Sequence, residues 1–135
     1  MTVLTRVAAV ASTLLLAACA SFAASTGSTA EQVAADIHTQ AQTAYLTSEA
    51  ALNGSPKSAL RVVLEESERH VTDDLTELEQ LQGDHTELTA LAEDTLRAVR
   101  DLKTAVADDD RAAIETAGAA ATAAADGLEA WSALL

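Results

Sequence analysis

The chain has 135 residues, the size of one ordinary domain. Apolar residues make up 49% of it and aromatics only 2%. Ala supplies much of the apolar share, so the composition is that of an all-helical protein. A formal net charge of −13 excludes an electrostatic nucleic-acid partner, because phosphates need cations, and disfavours a helix lying flat on anionic lipid.

The chain opens with a short basic start, Met1–Arg6, followed by an apolar stretch, Val7–Leu16, and then small residues, which is the layout of a secretory signal peptide. At its end, Leu16-Ala17-Ala18-Cys19 resembles the lipobox of bacterial lipoproteins. The resemblance implies a diacylglyceryl group on the Cys19 sulfur, cleavage after Ala18 and further acylation of the new amino group. It covers the first 19 residues and carries no information on the remainder. One acyl chain binds a membrane marginally, at roughly 0.8 kcal/mol per buried methylene, whereas two or three hold lastingly. An uncleaved helix across Val7–Ala24 is short for a bilayer, which needs about 20 apolar residues, and Ser12, Thr13 and Ser21 interrupt it. Cys19 is the only cysteine, so no intrachain disulfide forms, and lipidation consumes the sulfur. The expected organisation is a signal peptide over 1–18, a lipidated residue and flexible tether over 19–27, and a domain over 28–135. That domain is expected on the extracytoplasmic side of the cell membrane or outer membrane.

Beyond the small, polar Ala20–Gly27 the punctuation is helical. Ser28 with Glu31 fits a capping box, as does Asp84 with Glu87. Ser55-Pro56 places a hydroxyl before a proline, and Asp108-Asp109-Asp110 places acids where a helix N-terminus favours them. Asn53-Gly54 and Gly83 supply breaks. These signals predict helices over about 29–52, 56–81, 85–107 and 109–134. Each carries an apolar stripe at helical spacing. The first runs through Val33, Ile37, Ala41, Ala44, Ser48 and Ala51, and the second through Leu60, Leu64, Ser67, Val71, Leu75, Leu78 and Leu81. Leu88, Leu91, Thr95, Val99, Leu102 and Val106 make the third, and Ile114, Ala117, Ala121, Ala124, Leu128, Trp131 and Leu135 the fourth. Four stripes joined by short turns describe an antiparallel up-down four-helix bundle. Gly118 and Gly127 each weaken the last helix by about 1 kcal/mol relative to Ala. The stripe nevertheless continues to Trp131, so one unbroken helix is expected.

That topology sorts the charges. Glu31, Asp36, Asp73, Asp74, Glu77, Glu79, Asp84, Glu87, Glu93, Asp94, Asp126 and Glu129 fall in the half nearer the tether, with no base among them. Lys57, Arg61, Arg69, Arg97, Arg100, Lys103 and Arg111 fall at the midplane or beyond. Such an arrangement either forms a plain solvated surface or holds the domain off anionic lipid and presents its far end.

Chemistry-bearing residues are few. His38 lies 15 residues before Asn53 and His70 lies 15 after Ser55, so the two histidines are expected at similar height in the first hairpin. Glu66 and Asp74 flank His70 at four-residue spacing, and the four residues together make a candidate divalent-metal site. No Glu-x-x-His pair, glycine-rich phosphate loop or nucleophile–base pairing is visible. The expectation is therefore a protein that is not an enzyme and holds no cofactor besides the acyl-glycerol lipid on Cys19. It would serve as an interaction or structural module of the cell envelope. Its partner, an unidentified envelope protein, is expected at the far end, around Asn53, Lys57, Asp108, Asp109 and Arg111. The alternative is a bundle that binds a metal or small ligand through His38 and His70.

Overall fold

The computed structural model describes residues 29–135; the leader, Cys19 and the stretch up to Ser28 lie outside the described residues. Four helices follow one another: α1 (Ala30–Leu52), α2 (Lys57–Gln80), α3 (Thr86–Ala107) and α4 (Arg111–Ala133). Among the described residues there is no strand. Both α1 and α3 pack against α2 and α4, and they also touch each other across the middle, whereas α2 and α4 do not meet. This is a four-helix bundle.

The ends of the helices follow from local chemistry. α1 starts from a capping box one residue later than Ser28 and Glu31 would place it. The Thr29 side chain accepts from the Gln32 N–H at 3.2 Å, and the Gln32 side chain accepts from the Thr29 N–H at 3.0 Å. The sequence offers two overlapping frames here, and the structure uses the second.

α1 closes on a Schellman motif. The Gly54 N–H reaches Ala51 O and the Ser55 N–H reaches Ala50 O, with Gly54 at φ +84°. α3 closes in the same way, through Asp109 N–H to Val106 O and Asp110 N–H to Ala105 O. Here an aspartate, Asp109, takes the left-handed position at φ +52°.

The three consecutive aspartates thus have separate tasks. Asp108 ends α3, Asp109 makes the turn, and Asp110 caps α4 by accepting from the Ala113 N–H at 3.1 Å. Pro56 is the N-cap of α2 rather than its first helical residue. α3 has no reciprocal box, because its N-cap is His85. Asp84 instead accepts from both the N–H and the hydroxyl of Thr86, at 3.0 and 2.6 Å. α4 is unbroken through Gly127.

The core has three parts. Val33, Ala34, Ile37, Leu78, Leu88, Ala92 and Leu128 form one cluster, with Trp131 packed against it. Ala44, Leu60, Leu64, Val99, Leu102, Val106, Ile114, Ala117 and Ala121 are the principal members of another. Ala41, Ala124 and Ala125 form a third. Small residues bring α1 and α4 close together, and a Cβ on Gly118 would collide with the side chain of Ser48. The stripe in α2 departs from the expected one: after Val71 the buried position is Asp74, while Leu75 is half-exposed. Steps of three-then-four and four-then-three both lead from Val71 to Leu78, and the bundle uses the first.

Candidate functional site

The four residues expected to share a metal are not gathered into one group. His38 lies on the side of α1 that meets α4, with its Nε2 3.2 Å from Glu129 Oε1. His70 stays on its own helix, with Nε2 3.1 Å from Glu66 Oε1. Glu66 is shared with Arg69, whose guanidinium holds the carboxyl below the ordinary glutamate range. Equal height along a hairpin does not place two side chains on one side of it. Among the described residues no three His, Asp or Glu side chains converge as metal ligands.

The residues expected to meet a partner do come together, at the end that holds the 53–56 and 108–110 turns. Lys57 Nζ pairs with Asp109 and reaches Ala107 O at 3.5 Å, and Arg111 donates to Leu52 O at 3.3 Å. Asn53 and Asp108 are the C-caps of α1 and α3. Beside this end, a cleft of about 560 Å³ runs between α2 and α3 and is rimmed by Lys57, Arg61 and Lys103. Each of those cations is already engaged, with Asp109, Glu65 and Glu68 respectively. The Glu68 carboxyl is held below its ordinary range by Lys103 first and Arg100 second.

The same holds along the whole bundle, where every Lys and Arg of the described residues sits within ion-pair distance of an acid. Glu31, Asp36, Asp74, Glu77, Glu79, Asp84, Glu87, Glu93, Asp126 and Glu129 are left with no Lys or Arg beside them, and so are Glu49, Asp101, Asp108 and Asp110. The first ten belong to the group expected in the half nearer the tether, and the last four do not.

The least ordinary group is Asp74. Its residue is 6% exposed, and its Oδ2 is buried with no hydrogen-bond partner. Burial, then the carboxyl of Asp36 within hydrogen-bonding reach across the α1–α2 seam, then the charges of Glu77 and Asp73, push the Asp74 carboxyl up to about 8. Farther along the same seam, Ser67 donates to Gln40 Oε1 at 2.5 Å inside the core. In the sequence Asp74 stands out as a candidate metal ligand and as one of the tether-side acids, and Asp36 only as one of those acids. The available signal was the alternative heptad phase after Val71, which turns Asp74 inward.

Comparison with protein-family models, with curated proteins and with solved structures finds no match for this chain. No helix of the described residues is long and apolar enough to cross a membrane.

Proposed function

We propose that this chain is a lipid-anchored, non-catalytic module of the bacterial cell envelope, cut before Cys19, acylated there and displayed outside the cytoplasmic membrane. The observation that carries the reading is Leu16-Ala17-Ala18-Cys19, standing where an apolar leader ends. In this reading the helices alternate in direction, α1 and α3 leading away from the anchor and α2 and α4 returning. The Lys57–Asp109 pair and the Arg111 bond to Leu52 O support it by tying the 53–56 turn to the 108–110 turn. The cluster that joins Val33 to Leu78, Leu88 and Leu128 supports it at the opposite end.

Most of the unpaired acids then face the membrane, and their repulsion from anionic headgroups acts over roughly 8 Å in physiological salt. The far end, with Asn53, Lys57, Asp108, Asp109 and Arg111, is presented to a protein partner. Detergent phase partitioning in the bacterial host tests the anchor. The full chain is expected in the detergent phase, with Cys19→Ser moving to the aqueous phase. Equal partitioning of the two contradicts the reading.

A further inference from the structure

We propose that Asp74 and Asp36 form a proton-binding site across the α1–α2 seam, in which a proton on Asp74 is donated to the Asp36 carboxylate and its loss loosens α1 from α2. The inference concerns the bundle alone and stands whether or not the chain carries a lipid. It starts from a geometric anomaly. A carboxylate oxygen, Asp74 Oδ2, is buried with no hydrogen-bond partner, on a residue that is 6% exposed. Buried polar groups are almost always satisfied, and an ionised carboxylate without a partner is strongly disfavoured.

No cation is at hand to satisfy it. From α1 the charged group facing Asp74 is Asp36, and on its own helix the charges acting on it are Glu77 and Asp73. From α3, the other helix packed on α2, no charged side chain acts on it. His70, one turn earlier on α2, pairs with Glu66, and Arg69 pairs with Glu66 and Asp73. Two carboxyl groups facing each other are mutually satisfied in one state, with a single proton between them. One then donates and the other accepts, in a charge-assisted hydrogen bond.

Removing the proton leaves two like charges in contact inside the seam. The side-chain hydrogen bond seen between α1 and α2, Ser67 to Gln40, carries no charge and does not respond. The rise of the Asp74 carboxyl to about 8 places the change between mild acid and mild alkali. Across the interval in which only the unfolded chain has lost this proton, the folding equilibrium constant falls by about tenfold per pH unit.

The test is a carboxyl carbon titration of the full chain by NMR between pH 4 and 10, with amide exchange measured on the same samples. The Asp74 resonance is expected to titrate far above the exposed aspartates. Exchange in α1 around Asp36 should quicken relative to α3 as Asp74 deprotonates. In Asp74→Asn, whose amide can donate to Asp36 at any pH, that relative change should vanish. An Asp74 midpoint in the ordinary carboxylate range overturns the proposal, and so does an α1 response that persists in Asp74→Asn. Should the variant fail to fold, the titration of the unaltered chain decides alone.

Discussion

Two glycines in α4 that look equivalent in sequence are not equivalent in space. Gly118 sits where α1 crosses closest, and a Cβ there would run into both the Cβ and Oγ of Ser48. Gly127 faces only the far end of the flexible Leu91 side chain. Gly118→Ala is therefore expected to lose about 1–3 kcal/mol of stability to overpacking, against a helix-propensity gain of about 1 kcal/mol. Gly127→Ala should keep most of that gain and be neutral to about 1 kcal/mol more stable. Urea unfolding of the two variants checks the contrast, and equal effects would contradict the packing account. In the sequence both glycines weaken a helix that is nevertheless expected to run unbroken. Only the position of Ser48 on another helix separates them, and no local rule contains it.

Between helices, the α1–α2 seam holds a buried side-chain hydrogen bond. Ser67 and Gln40 meet inside it, so Ser67→Ala strands the Gln40 amide and should cost about 1–3 kcal/mol. Replacing both together, as Ser67→Ala with Gln40→Leu, should recover most of the loss, which a double-mutant cycle in denaturant reads directly. Much at this scale was legible beforehand. Four stripes, the Asn53-Gly54 stop and the aspartate run locate the four helices to within a residue or two. The illegible part was rotation about the helix axis. Val71 leads to Leu78 through either Asp74 or Leu75, and apolarity favours Leu75, yet packing buries Asp74. The sides on which His38 and His70 lie were hidden for the same reason. Spacing fixes their height along the hairpin, and only the assembled bundle turns His38 toward Glu129 on α4.

Across the described residues, the bases are used up by nearby acids, and ten of the fourteen acids without a Lys or Arg partner fall in one of the two halves that the sequence had separated. Self-repulsion then dominates the long-range electrostatics, and added salt should raise the melting temperature at neutral pH. A fall with salt would show the exposed ion pairs to dominate instead. The pH dependence has two limbs. Glu68, held below its ordinary range by Lys103 and Arg100, contributes stability above the unfolded glutamate pKa that is lost as pH falls through its lowered value. Asp74 works the other way. Its folded value lies near 8 and the unfolded one near 3.8, so the folded state binds the extra proton and stability falls as pH rises between them. Maximum stability is therefore expected in mild acid, and a pH series of melting curves tests it. The charge separation was legible from residue order once a bundle was assumed. Which acids remain unpaired was not, because pairs such as Lys103–Glu68 and Lys57–Asp109 join distant parts of the chain.

In the proposed function this acidic bundle stands at the end of a lipid anchor. Intact-mass spectrometry of the protein isolated from its own membrane fraction tests that placement most directly. The predicted product begins at Cys19 and carries a diacylglyceryl group on its sulfur, with or without a further acyl chain on its amino group. A chain that still begins at Met1, or one whose Cys19 thiol is free, would contradict it.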